Sequence, residues 1–415
     1  MTPFSRGSQN RAAALQCPVM NAISPLSARL AAAVDRGRLL DTAMQLVAVP
    51  SRTGEAGAAL DCLARLLTAD GFTVERPAAG HPAAPAVVVR FDSGRPGRTL
   101  QFNGHLDTVH LPFVPPAVEG GRLTGSGACD MKGGTAAAIE ALRVLRDAGA
   151  LTAGSVLLTA HDLHEAPWGL GQQLDRLIAD GCIGDGVLLP EPLCDRLPAV
   201  GRGAMTWKAT IRREEPPVHE VMRPAGVPDV IAAGADLVGR LGRLNERLSA
   251  RSDLLAGSES LFIGQIHGGE IYNGSPQECW LEGTRRWLPG GSRREVEDEF
   301  RSLLAGLERD HQVKIDAEIC FIRDAFRLDL NDPLTTTFQR AYTEVSGSPL
   351  PVGPKAFVDD GNSFHGLRGL PAITHGPRAG GQHTVQEWVE IDDLVRVAHL
   401  YALTAAVYCG GRRRD

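Results

Sequence analysis

The chain has 415 residues, of which 43% are hydrophobic and 22% are charged, and its formal net charge is -6 at pH 7. This length and apolar content allow a large buried core and predict two domains. The negative charge is spread without a basic stripe, which argues against nucleic acid or an anionic membrane as the partner and favours a small molecule.

The N-terminal segment and the cysteines indicate where the protein works. Residues 1–26 look loosely ordered and lack the continuous apolar core of a signal peptide, and no segment is long enough to span a bilayer. The eight cysteines are scattered singly, without the paired spacing of a zinc knuckle or a disulfide framework. We therefore expect a cytoplasmic protein.

Helical segments alternate with short apolar strands in the first part of the chain. Helices are predicted over residues 40–49 and 58–71, and strands over 86–91, 99–104, 155–162 and 186–192. This alternation predicts a layered α/β sheet with helices on its faces. Chemistry is then expected where the strands end.

The order of the elements changes after residue 203. Strands are predicted over 204–213, 260–266, 278–288 and 313–322, and helices over 227–250 and 293–310. The order β-α-β-β-α-β is that of a ferredoxin-like split unit. We predict that residues 201–322 form an inserted α+β domain, and that residues 27–200 and 323–415 together form the other domain.

The first candidate site residues follow the strand over residues 99–104. His105 and Asp107 lie two residues apart, so in an extended chain their side chains point the same way. A histidine ring oriented by a carboxylate is a common metal-ligand arrangement. The alternative is an ordinary turn with an aspartate cap.

A second candidate, Asp130, lies in the glycine-rich turn "GSGACDMKGG" before a long helix. Lys132 suggests a phosphate loop, but the G-x-x-x-x-G-K-[ST] spacing is missing, so a nucleotide-binding function is disfavoured. A carboxylate has two oxygens, and with glycine around it Asp130 is suited to bridging two cations.

Three further clusters contain acidic residues and histidines. Glu191 follows the strand "LLP", His383 lies in a glycine-rich loop, and His164 and Glu165 lie in "LLTAHDLHEAPWG". Strand ends on one edge of a sheet converge in space. The clusters therefore predict a metal site at that edge.

These motifs, in this order over residues 40–405, resemble the di-zinc aminoacylases and exopeptidases, a family that includes acetylornithine deacetylase, succinyl-diaminopimelate desuccinylase and glutamate carboxypeptidase. "GHLDTV" and "GxGxxDMKGG" are the most specific of them. The resemblance implies an α/β fold: a mixed-sheet zinc-peptidase catalytic domain with an inserted ferredoxin-like α+β lid that also forms the dimer.

The resemblance also implies two Zn²⁺ per chain, although histidine and carboxylate sites also accept Co²⁺ or Mn²⁺. By position, the implied ligands are His105 and Glu191 for one ion, Glu165 and His383 for the other, and Asp130 as the bridge between them. Asp107 is the residue that would orient His105.

The inserted domain carries three residues that match lid positions of the family. His219 matches a histidine that reaches the partner subunit's active site and polarises the scissile carbonyl, which implies a homodimer. Asn273 and Arg286 match residues that hold the substrate's carboxylate, a task that suits the planar guanidinium fork. The alternative for each is a polar surface residue.

The chain departs from the family at Leu163-His164-Glu165, where the family has an Asp-Glu-Glu run of which the first Glu is the general base and the second a zinc ligand. One extra residue also precedes Gly171. We predict that Glu165 binds zinc and that His164 transfers protons, since histidine titrates near neutral pH. The competing assignment makes Glu165 the base, with the second zinc weakly held or absent.

Strand alternation predicts that Asp162 and His164 share one direction and that His161 takes the other. We therefore expect His161 and Asp162 to be structural.

The function that these residues favour is metal-dependent hydrolysis of the amide bond of an N-acyl amino acid or a short peptide-like molecule by a zinc-activated water. The alternative is a catalytically inactive metal- or ligand-binding protein on the same scaffold, because the usual base glutamate is absent.

Overall fold

The structure is a computed structural model that describes residues 24–412. Residues 1–23 of the segment predicted to be loosely ordered lie outside the described residues, and Pro25 and Leu26 already belong to the first helix. The α-helices, in chain order from α1 to α10, are Pro25–Ala33, Arg36–Val47, Gly57–Ala69, Lys132–Asp147, Gln172–Ala179, Val230–Ser249, Arg293–His311, Pro333–Ser346, Asp360–Arg368 and Ile391–Cys409.

The strands of the catalytic part come before and after those of the inserted part. Strands β1 to β8 are Val74–Glu75, Val87–Asp92, Thr99–His105, Ala117–Glu119, Arg122–Thr124, Ser155–His161, Gly186–Leu189 and Leu197–Gly201. Strands β9 to β16 are Gly203–Arg212, Val218–His219, Ser252–Asp253, Gly257–Ser258, Ser260–Gly268, Gly274–Ser275, Glu278–Trp287 and Lys314–Arg323. Strands β17 to β21 are Phe326–Arg327, Val352–Lys355, Ala372–Thr374, Ala379–Gly380 and Trp388–Glu390.

The central sheet is mixed and has six strands in the order β1-β2-β6-β3-β7-β19. Strands β6, β3, β7 and β19 run parallel, whereas β1 and β2 join the edge in antiparallel pairs. Parallel neighbours end at the same edge of the sheet. The ends of β6, β3 and β7 therefore lie side by side.

Both faces of this sheet are covered. Val87 and Val89 belong to the large core that includes α4 and α10, whereas Val88 and Leu157 pack with Leu177 of α5. Side chains of a strand alternate between faces, which explains this split within one run of valines. Helix α4 is buried along most of its length, so the segment after Asp130 is anchored inside the core.

The inserted part has its own sheet, ordered β13-β15-β9-β16 with all pairs antiparallel. Helices α6 and α7 pack against it over a separate core. The order of elements and strands is ferredoxin-like, so the predicted fold class of a mixed α/β sheet with a ferredoxin-like insertion is confirmed. The boundaries 27–200, 201–322 and 323–415 stay a prediction.

The chain enters and leaves the insertion through neighbouring strands. Ala204 of β9 pairs with Arg323 of β16, and Gly201 of β8 pairs with Phe326 of β17. The two crossings therefore form one narrow connection.

None of the helices within residues 24–412 combines the length and the apolar character needed to cross a bilayer.

Candidate metal centre

Three neighbouring strands supply one edge of the candidate site. His105 ends β3, His161 ends β6, and Glu191 follows the end of β7 by two residues. Because these strands are parallel neighbours, their ends place the three side chains at one edge.

His105 is fully buried and lies among acidic side chains. Its Nε2 is 3.1 Å from Oδ1 of Asp130 and 3.8 Å from Oε1 of Glu191. Burial disfavours the charged ring, but Asp130 outweighs this and raises the pKa of His105 well above its usual value. Burial and the charge of Asp130 also raise the pKa of Glu191.

Asp130 also faces a second pair of donors. Its Oδ2 is 3.3 Å from Nε2 of His383, and the same nitrogen is 3.2 Å from Oε2 of Glu165. Hydrogen bonds to Asp130 and Glu165 raise the pKa of His383 to about 10. The two oxygens of Asp130 thus face His105 on one side and His383 on the other.

Asp107 connects two segments of the site. Its Oδ2 accepts hydrogen bonds of 3.0 Å from the backbone N–H groups of both His164 and Glu165. The ring of His105 lies closer to the carbonyl oxygen of Asp107, at 3.0 Å from Nδ1, than to Oδ1, at 3.6 Å. Asp107 therefore contacts His105 mainly through its backbone, and its carboxylate holds the loop that carries Glu165.

His164 lies beside the His105 ring. Its Nδ1 is 2.8 Å from Oδ1 of Asp360, and its Nε2 is 3.9 Å from Oε1 of Glu191. The side chain is 11% exposed. His164 therefore presents Nε2 to the cluster.

The predicted direction of the side chains after β6 is wrong. His161 and His164 both reach Asp360, whereas Asp162 accepts hydrogen bonds from the backbone of residues 54 and 56. The strand ends at His161, and Leu163 has a φ of 65°, so alternation stops there. Asp162 is structural, as expected.

Asp360, at the start of α9, was not identified from the sequence. It is fully buried and contacts four donors: His161, His164, Asn103 and Arg323. Burial would raise the pKa of this carboxyl, but the charges of His164 and His161 outweigh it and hold the pKa well below its usual value. The sequence "VDDGN" offers only a signal for a helix start.

Glu387 was also missed. Its Oε2 accepts 3.1 Å hydrogen bonds from the backbone N–H groups of Cys129 and Asp130. Burial raises the pKa of Glu387 to about 7, although these hydrogen bonds favour its ionised form. Glu387 therefore holds the turn that presents Asp130.

His219 and Asn273 of the inserted domain lie together, whereas Arg286 does not border their cavity. Nε2 of His219 lies 2.9 Å from Nδ2 of Asn273, and both residues border a cavity of about 520 Å³. Arg286 lies on β15, and burial together with the nearby Arg202 lowers its pKa. Within residues 24–412, none of the three forms a hydrogen bond or an ion pair with the metal cluster.

The donor set fits metal ions. Two groups have one donor atom each within 4.8 Å of the others: His105 with His164 and Glu191, and His105 with Asp130 and Glu165. Imidazole nitrogens and carboxylate oxygens bind Zn²⁺ at about 2.0–2.2 Å, which puts tetrahedral ligand atoms about 3.4 Å apart. The distances of 3.1 to 3.8 Å between donor atoms of the predicted ligands match that spacing.

A match to a protein-family model shows to which family the chain belongs. Residues 101–406 match the model of peptidase family M20/M25/M40. The chain belongs to this family. The predicted resemblance to the di-zinc aminoacylases and exopeptidases is confirmed.

Individual members of the family support the same fold. The chain is 35% identical over 381 residues to a succinyl-diaminopimelate desuccinylase of Acidiphilium cryptum, which covers 86% of this chain and 95% of that one. It spans about half the length of several other curated desuccinylases that it matches.

Two solved structures show how far the likeness extends. A tripeptidase of Staphylococcus aureus superimposes with a TM-score of 0.75 at 21% identity, covering 91% of this chain and 99% of that one. The YXEP protein of Bacillus subtilis, described as a dinuclear metal binding peptidase, superimposes with a TM-score of 0.66 at 13% identity, covering 90% and 98%. At these identities the likeness shows the fold.

Proposed function

We propose that this protein hydrolyses the amide bond of an N-acyl amino acid or a short peptide-like molecule at the His105 edge of the sheet, with two zinc ions as its cofactors. The observation that carries the proposal is the convergence of nitrogen and oxygen donors around Asp130. The relatives named as desuccinylases support an N-acyl amino acid as the substrate class.

The proposed ligands form two groups that share Asp130. His105 and Glu191 would hold one ion, and Glu165 and His383 would hold the other. When bound, zinc in such a donor set would supply Lewis acidity, since it lowers the pKa of bound water to about 7 and polarises a carbonyl.

His164 is the proposed proton carrier. Its Nε2 faces the cluster while Nδ1 is held by Asp360, so the ring can accept a proton from the attacking water and return it to the leaving amine. The competing assignment gives this role to Glu165. The 3.2 Å contact between Glu165 and His383 favours Glu165 as a ligand instead.

The inserted domain supplies the proposed substrate contacts. Arg286 lies near Arg202 and forms no salt bridge within residues 24–412, so its guanidinium is available for a substrate carboxylate. Within residues 24–412, His219 and Asn273 form no hydrogen bond or ion pair with their own chain's cluster, which supports a homodimer in which the partner's His219 polarises the scissile carbonyl. The seven described cysteines are free, which supports a cytoplasmic location.

The test is a hydrolysis assay with metal analysis. Zinc-loaded protein is incubated with N-succinyl and N-acetyl amino acids and with dipeptides, and amine release is measured before and after chelation. We expect turnover that chelation abolishes and zinc restores. Zinc binding with a measured affinity, but without turnover of any of these amides, would favour the inactive binding protein instead.

A further inference from the structure

Arg323, the last residue of β16, reaches out of the inserted sheet into the catalytic part. Its side chain is only 3% exposed, and Nη2 lies 3.3 Å from Oδ1 of Asp360. Its Nη1 donates a hydrogen bond to the carbonyl oxygen of Leu170. One buried guanidinium therefore contacts both Asp360 and the loop of residues 163–171.

That loop carries His164 at its beginning and closes next to Arg323. The backbone N–H of Gly171 donates a 2.7 Å hydrogen bond to the carbonyl oxygen of Leu163. Gly171 has a φ of 80°, and a Cβ at this position would overlap the guanidinium of Arg323. Glycine is thus required here both by the backbone and by the arginine.

The contacts of Asp360 determine which nitrogen of His164 carries the proton. Oδ1 of Asp360 contacts Nδ1 of His164 and the guanidinium of Arg323, while Oδ2 contacts His161 and Asn103. An ionised carboxylate can only accept hydrogen bonds, and both oxygens of Asp360 face donors. Nδ1 of His164 must therefore donate its proton to the hydrogen bond with Asp360. The lone pair of the neutral ring is then on Nε2, which faces Glu191.

We propose that Arg323 and Asp360 form a positioning pair that fixes the orientation and the tautomer of His164, so that the end of β16, the last strand of the inserted sheet, helps to set the proton acceptor of the catalytic part. This inference rests on the proposed function. Arg323 neutralises Asp360 and at the same time holds Leu170, so its loss frees both the carboxylate and the end of the loop.

The variants that test the pair are Asp360→Asn, Arg323→Met and Arg323→Lys. The matched control is Arg293→Met, because Arg293 forms a 2.8 Å ion pair with Asp324 at the same crossing but, within residues 24–412, no hydrogen bond or ion pair with Asp360 or the loop. We expect Asp360→Asn to lower kcat by about 10- to 100-fold, with KM and zinc content unchanged.

The two Arg323 variants separate the effect of the positive charge from the effect of the side-chain volume. Arg323→Met should lower kcat by about 10-fold, and Arg323→Lys should recover part of that loss because an ammonium also reaches the carboxylate. Arg293→Met should stay within about twofold of the wild type. Equal losses in Arg323→Met and Arg293→Met, or losses that track the zinc content, would overturn the pair as a positioning device.

A measurement without substrate keeps this inference apart from the proposed function. In zinc-loaded protein labelled with nitrogen-15 histidine, the His164 signals are assigned with the variant His164→Gln. We expect one tautomer, protonated at Nδ1, in the wild type and a mixture in Asp360→Asn. Unchanged His164 signals in Asp360→Asn would overturn the inference even if the enzyme hydrolyses amides, whereas a wild type without turnover contradicts only the proposed function.

Discussion

The imidazole rings of His105 and His164 stack face to face, with their centroids 3.9 Å apart and their planes 5° from parallel. His105 ends β3, and His164 lies in the loop after the parallel neighbour β6. A proposed metal ligand and the proposed proton acceptor therefore support each other through their rings. Variants of either residue must preserve this stack if they are to report on chemistry alone.

Replacing His164 should separate proton transfer from metal binding. His164→Phe keeps an aromatic ring against His105 but has no nitrogen, so we expect both metal ions to remain and kcat to fall by about 10²- to 10⁴-fold. Glu165→Gln should instead lose one metal ion. Metal analysis and steady-state kinetics measure both effects. If Glu165→Gln retains both ions and is inactive, Glu165 is the base and the roles proposed here are wrong.

Glu387 should control metal affinity without binding metal itself. Glu387→Gln weakens the hydrogen bonds that hold the backbone of Cys129 and Asp130, so we expect zinc affinity to fall by about 10- to 100-fold in competition with a chelator. Glu390→Gln is the matched control, since Glu390 lies on the same segment and its carboxylate is partly exposed. An unchanged zinc affinity in Glu387→Gln would contradict this positioning role.

Mixed dimers should show whether His219 acts on the partner's site. We expect His219→Ala and Asp130→Asn to be inactive separately. After subunit exchange, half of the dimers are hybrids with one intact site, so about a quarter of wild-type activity should return. Mass spectrometry of the intact dimers verifies the exchange. An exchanged mixture that stays inactive would argue that His219 acts within its own chain.

His375 should make the fold sensitive to acid. It is fully buried, burial lowers its pKa to about 3, and neither ring nitrogen has a hydrogen-bond partner within residues 24–412. As the pH falls from 6.5 toward 3, the unfolded chain binds a proton that the folded chain does not, so stability is lost by up to about 1.4 kcal/mol per pH unit.

The variant that tests this dependence is His375→Phe, because the ring packs against Phe338 and Tyr342 and gives up no hydrogen bond. We expect urea unfolding at pH 7 and pH 5 to differ less for His375→Phe than for the wild type, by about 2 kcal/mol. His267→Phe, at an exposed histidine, should keep the wild-type difference. An equal pH dependence in His375→Phe and the wild type would contradict the assignment.

Three of the proposed ligands could be singled out as candidates from the sequence because their signals are local. His105 ends an apolar strand, Glu191 lies two residues after one, and Asp130 precedes a long helix within a glycine-rich turn, so each signal is contained in a short window of sequence. The parallel pairing of β3, β6 and β7 then brings these residues together, because the ends of the three strands lie at one edge of the sheet.

Asp360 and Glu387 could not be found in the same way. Asp360 reaches His164 across 196 positions and Asn103 across 257, and Glu387 reaches the backbone of Asp130 across 257. Next to Asp360, Asp359 caps α9, so the local pattern is fully explained by a helix start. Their roles depend on tertiary packing that no short window contains.

The narrow connection at β8–β9 and β16–β17 affects the order in which the chain folds during its synthesis. Residues 203–323 form one uninterrupted stretch with its own core, so this stretch is expected to fold as soon as it has left the ribosome. Asp360, His383 and helix α10, which packs against the central sheet, are synthesised only afterwards. The metal centre is therefore expected to assemble after the inserted sheet, so that a nascent chain cannot hydrolyse amides until His383 has left the ribosome.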